Sequence, residues 1–115
     1  MTDQAKYTRA DVLAVARDWI GTPYRHQASC KGAGVDCLGL VRGVFQEVEG
    51  HDPEVPPPYS PDWAELPGGL AEGEPMLSAA RRHLIERDMR EAGKGDVLIF
   101  RMSPNAAAKH AAICA

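Results

Sequence analysis

No stretch of the chain approaches the roughly 18 consecutive apolar residues that a bilayer-crossing helix needs, which excludes a helical membrane span. The start, Met1 to Arg9, is polar and no apolar region follows it. The pattern of a secretory signal peptide is therefore lacking, and cytoplasmic synthesis as a soluble chain is expected. There is no C-x-x-C pair and no even set of cysteines. Three cysteines without a secretion signal argue against a disulfide framework and for reduced thiols. A basic excess is lacking as well. The formal net charge is −3, and Lys and Arg are scattered apart from Arg81-Arg82, so no nucleic acid is expected as primary partner. With 44% hydrophobic and 25% charged residues, positions 1–115 fit one ordinary globular domain.

What is present is helical periodicity followed by strand-like runs. Thr8 reads as an N-cap, and Val12, Val15, Ala16, Trp19 and Ile20 behind it form one apolar stripe. Gly21-Thr-Pro-Tyr24 stops that helix, and a loop carrying His26, Cys30, Gly32 and Gly34 follows. From Asp36 to about Glu49, Leu40, Val41, Val44, Phe45 and Val48 again keep helical spacing, with Asp36 as N-cap and Gly50 as terminator. Residues 52–75 form a Pro-rich loop in which Tyr59, Trp63 and Leu66 predict packing onto the body. Met76 to about Glu91 reads as a third helix, with Leu77, Ala80, Leu84 and Ile85 inward and Arg81, Arg82, Glu86, Arg87 and Arg90 outward. Asp96 to Met102 and Lys109 to Cys114 read as two strands of an antiparallel hairpin. A two-stranded sheet is marginal by itself, so an α+β domain with an incomplete sheet is expected.

Cys37 stands where a glycine-broken loop turns into the second helix. The first helical turn has unpaired N–H groups and about half a positive charge. Both favour thiolate, so a lowered pKa and a reactive thiol are expected. A lone cysteine is most often a small buried hydrophobe, and a lone histidine is most often structural. What favours chemistry is the pairing of the two: His110, flanked by Ala108, Ala111 and Ala112, has room beside it, and strand alternation aims it at one face. Zinc is the rival, with His26, Cys30, Cys37, His110 and Cys114 as potential ligands. The spacing argues against it, since His110 and Cys114 on one strand would lie roughly 13 Å apart. No metal and no cofactor is expected.

Four segments in order carry a resemblance: Trp19-Ile-Gly-Thr-Pro-Tyr24, Gly34-Val-Asp-Cys-Leu-Gly-Leu-Val41, Gly95-Asp-Val-Leu-Ile-Phe100 and Lys109-His-Ala-Ala-Ile113. From about residue 9 onward the chain resembles the NlpC-type cell-wall cysteine peptidases, and most of all the short form of tailed phages and gene transfer agents. The resemblance implies a papain-like α+β core and cleavage of peptidoglycan stem peptides between D-glutamate and the diamino acid. It implies Cys37 as nucleophile, His110 as general base, Tyr24 as an oxyanion donor and Asp36 as a receptor for a free amine. Leu38 stands where many members have Ser. A third catalytic residue on the strand after His110 has no position in a sequence ending at Ala115. Peptidoglycan peptides and particle proteins are the implied partners, and the wall would be reached inside a phage-tail-like particle or after lysis. The alternative is a non-catalytic subunit of such a particle, docking through the Pro-rich loop and an open sheet edge.

Overall fold

The computed structural model describes residues 7–56, 75–101 and 108–115. The first helix, α1 (Arg9–Arg17), starts in a capping box. The Asp11 N–H donates to Thr8 Oγ1 (3.1 Å) and the Thr8 N–H donates to Asp11 Oδ2 (2.8 Å). Its expected continuation to Gly21 is replaced by tighter turns, in which the N–H groups of Trp19 and Ile20 donate to the carbonyls three residues back. Tightening from 3.6 to about 3 residues per turn rotates the apolar stripe. Trp19 is buried, whereas Ile20, expected on the same stripe, is 79% exposed, and Leu13 takes a core place instead.

The glycine-rich loop is more ordered than its sequence predicts. β1 (Ser29–Cys30) and β2 (Gly34–Val35) pair antiparallel, and Tyr24 bridges Val35 in parallel. This ribbon delivers the chain to α2 (Cys37–Glu49), which has the expected Asp36 N-cap and Gly50 C-cap, the latter in the left-handed region at φ 90°. Trp19 crosses α2 at Gly43, where a Cβ would come within 2.3 Å of the indole ring. The indole Nε1–H donates to Glu47 Oε2 (2.8 Å), and Lys31 Nζ reaches the other carboxylate oxygen of Glu47 (2.7 Å).

The third helix, α3 (Pro75–His83), stops well short of the expected Glu91. Asp88 caps a separate 3₁₀ turn over Met89–Glu91, its carboxylate accepting from the Arg90 N–H at 2.9 Å. A side chain that bonds the local backbone competes with helix propagation. Ile85, expected to point inward, is 92% exposed, and Met76 is the residue α3 buries. The Pro-rich loop of residues 52–75 falls largely on 57–74, so Tyr59, Trp63 and Leu66 lie outside the described residues.

β3 (Val97–Arg101) and β4 (Ala108–Ile113) form the antiparallel hairpin, with Ile99 opposite Ala111, Phe100 opposite His110 and a register shift between Phe100 and Arg101. α2 lies across β4. Met76 and Ala111 form the buried centre, with Cys37, Leu38, Val41 and Ile99 packed against them. The result is a small α+β domain of three helices and two antiparallel two-stranded sheets among the described residues. No helix among them is long and apolar enough to cross a membrane.

The contact of Trp19 with Gly43 makes a direct prediction. Alanine gains up to about 1 kcal/mol over glycine inside a helix, but overpacking typically costs about 1–3 kcal/mol. With the indole held by Glu47, Gly43→Ala should be a net loss and lower Tm by several degrees in a thermal melt followed by circular dichroism. An unchanged or raised Tm would show that the indole can move aside freely.

Candidate active site

Asp36 builds the site. It is 5% exposed, and both carboxylate oxygens hold backbone. Oδ1 accepts from the Gly39 N–H (2.7 Å) and Oδ2 from the Gln27 N–H (2.8 Å). The first bond caps α2, and the second pins the preceding loop to the cap. Gly39 permits this approach, because a Cβ there would lie 1.9 Å from the Ala28 carbonyl oxygen. Ser29 Oγ closes the clamp by donating to the Gly39 carbonyl at 2.7 Å. The amine-recognition role implied for Asp36 thus falls on a carboxylate whose two oxygens are already engaged by the fold.

Cys37 follows on the first turn of α2, at one end of a cavity of about 590 Å³. Cys37, Leu38, Val41, Arg42 and Phe45 form its floor, at the one-turn spacing that places residues on one helix face. Tyr24, His26 and Asp36 stand on the loop side, and Ile99, His110 and Ala111 on the hairpin side. All four residues singled out from the sequence, Tyr24, Asp36, Cys37 and His110, therefore line one cavity. Tyr24 is 72% exposed, at the mouth.

The electrostatics of the thiol differ from the expectation. Burial pushes the Cys37 pKa up, and the nearby Asp36 carboxylate adds to the rise. The backbone groups of Ala111, Leu38 and Cys37 itself act in the opposite direction without reversing it. Half-burial of a thiol against Met76 and Ala111 outweighs the helix N-terminus. His110 is also arranged differently. Ile99 and Ala111 face α2, and alternation puts their strand neighbours Phe100 and His110 on the other face of the hairpin. There the imidazole stacks on the Phe100 ring, 5.7 Å between centroids. His110 borders the cavity from that face.

At the far end of the cavity lies a group that sequence reasoning missed. His83 Nε2 is 2.7 Å from Glu54 Oε1, and Arg82 places Nη2 2.9 Å from Glu54 Oε2 and Nε 3.1 Å from Oε1. The His83 ring meets Phe45 edge-on at 6.2 Å. The hydrogen bond from His83 and those from Arg82 hold the Glu54 carboxyl below its ordinary range. Of the potential zinc ligands, His26, Cys37 and His110 line the cavity and Cys30 is exposed. Among the described residues, no group of three or more His, Cys, Asp and Glu side chains is assembled to hold a metal ion.

Two outcomes follow. Replacing Asp36 with Ala removes a cap and leaves two N–H groups without acceptors, so a loss of about 2 kcal/mol is expected in urea unfolding. A loss below about 0.5 kcal/mol would mean that the clamp is dispensable. Because the folded chain holds the Cys37 proton more tightly than the unfolded chain does, this group's contribution to stability is complete below the unfolded thiol pKa and fades as pH rises past it. Iodoacetamide labelling followed by peptide mass spectrometry should accordingly show Cys37 lagging the exposed Cys30 at pH 7–8 and catching up only in more alkaline buffer. Faster labelling of Cys37 at pH 7 would contradict the raised pKa. Comparison of the chain with protein-family models, curated proteins and solved structures finds no match.

Proposed function

We propose that this chain is a papain-like cysteine endopeptidase of the NlpC type, hydrolysing amide bonds of peptidoglycan stem peptides, most fittingly the D-glutamyl–diamino acid bond. It would work in a phage or gene transfer agent particle or after lysis. The observation that carries this reading is the convergence of Cys37, at a helix start, with Tyr24, Asp36 and His110 on one cavity. In the reaction, Cys37 Sγ attacks the scissile carbonyl carbon and its proton passes to His110. The carbonyl oxygen becomes an oxyanion held by the Tyr24 hydroxyl and N–H groups of the first α2 turn. Collapse breaks the C–N bond, the protonated imidazole gives its proton to the leaving amine, and water then hydrolyses the thioester. In the free chain the thiol is held protonated and the imidazole lies on Phe100. The reaction therefore requires the imidazole to leave Phe100 and reach Sγ when substrate fills the cavity.

The same two facts favour a second reading, a non-catalytic structural or binding subunit of a phage-tail-like particle. Mass spectrometry of purified muropeptides incubated with the reduced chain, beside Cys37→Ala, separates the two. The peptidase reading expects products with the unmutated chain alone, cut at an amide of the stem peptide, and a fall of about 10²-fold or more with His110→Ala. His26→Ala should be milder and serves as the control, since His26 is a cavity histidine on the loop side with no role in these steps. Absence of products in every sample would favour the structural subunit.

A further inference from the structure

The floor of the cavity has a direction. It runs along α2 from Cys37 to Phe45, about 12 Å at 1.5 Å per residue, which matches roughly four residues of extended peptide at about 3.3 Å each. One end holds the thiol. The other holds Arg82 and His83, whose donors converge on the Glu54 carboxylate. A guanidinium and an imidazole closing on the same carboxylate form the kind of charge-assisted recognition site that proteins use for acidic ligands. The acid in place is the chain's own. It comes from the segment between Pro53 and Pro56, and its side chain is 41% exposed. Exposed ion pairs contribute about 0–1 kcal/mol, so an incoming carboxylate can exchange with Glu54 at small cost. Arg42, on the floor between the two ends, is not the receiver. Its side chain is 14% exposed, and it is committed to Asp52 through two bonds of 2.7 and 3.3 Å.

We propose that Arg82 and His83 form a carboxylate-recognition subsite at the end of the cavity floor away from the thiol, occupied by Glu54 in the free chain and taken over by an acidic group of a bound peptide. This rests on the peptidase reading for the kind of peptide, and on the cavity's geometry for the location. Glu54 then acts as a built-in competitor: it keeps the subsite filled, and an incoming carboxylate has to displace it, whereas a peptide with no acid does not enter the subsite.

Binding to the full chain carrying Cys37→Ala, which cannot cleave, tests the subsite apart from the chemistry. The probes are a stem tetrapeptide with a C-terminal carboxylate and the same peptide as its C-terminal carboxamide, measured by isothermal titration calorimetry. The carboxylate form should bind roughly tenfold tighter, the scale of one charge-assisted hydrogen bond. Adding Glu54→Gln should tighten the carboxylate form several-fold and leave the carboxamide unchanged. Adding Arg82→Gln should erase the preference, and Arg82→Lys should restore part of it. Circular dichroism melts of each variant establish that it is folded. Equal affinity for the two probes, no binding of either, or weaker carboxylate binding after Glu54→Gln would each overturn the subsite. If muropeptides are not cleaved but the acid preference stands, the peptidase reading fails and the subsite survives. Cleavage without any acid preference gives the reverse.

Discussion

The grip of Asp36 on two backbone N–H groups is the constraint from which the rest of the site follows. One oxygen starts α2 at Gly39 and the other ties the loop at Gln27 to that start. Because Cys37 is the next residue, the same carboxylate that positions the thiol also places a negative charge beside it. A neutral cap such as Ser would orient the helix with less penalty to a thiolate. Asp36 caps strongly, and it resists ionisation of its neighbour. The loop pinned by its second oxygen carries His26, and it leads back to Tyr24, bridged to Val35, so that one buried side chain sets a whole wall of the cavity.

Around that start, burial decides the chemical state of the sulfur. Placement at a helix N-terminus favours the anion by one or two hydrogen bonds and a partial charge, whereas contact with Met76 and Ala111 removes water from the same atom. The outcome is a raised thiol pKa, and hence a resting site that holds its proton. A thiol that keeps its proton is protected from adventitious oxidation, since the thiolate is the reactive form. The same property makes the free chain a poor nucleophile. In the proposed peptidase, the position of His110 is therefore the quantity on which activity would turn.

How much of this was legible in the sequence follows from how local each determinant is. α2 was readable because its cap, apolar spacing and terminal glycine all sit within the segment itself, and Asp36 and Gly50 take those roles in the structure. The hairpin was readable from its branched residues. α3 ends before the spacing predicts because Asp88 offers a rival local bond that hydrophobic spacing does not register. β1 and β2 are too short to carry any period. Ile20 leaves the stripe that its spacing predicts because a tightened turn changes the angle per residue. Glu54 was invisible as a site residue, since its partners Arg82 and His83 are distant in sequence and Arg82 read as an outward arginine. The raised thiol pKa was equally hidden, because it depends on Ala111 and Met76 arriving from elsewhere.

The hairpin shows what separates this resting arrangement from a thiol–imidazole pair. Side chains in a strand alternate, so a one-residue slip of β4 against β3 would exchange the faces of His110 and Ala111. Such a slip is normally resisted by the buried face, here Ile99 and Ala111 against α2. Ala111 and Ala112 lose little buried area by changing face, but Ile113 would leave the face it shares with Ala111 and the β3–β4 pairs would have to re-form, so the hairpin resists the slip as a whole. The pairing is already irregular next to the histidine, with a register shift between Phe100 and Arg101. Bulges locally re-aim side chains and increase twist. The stacking of His110 on Phe100 is one contact that holds the imidazole on the face opposite Ala111. An aromatic pair of that kind contributes about 0.5–1.5 kcal/mol beyond its burial, a difference that one charge-assisted hydrogen bond between imidazolium and thiolate is large enough to offset.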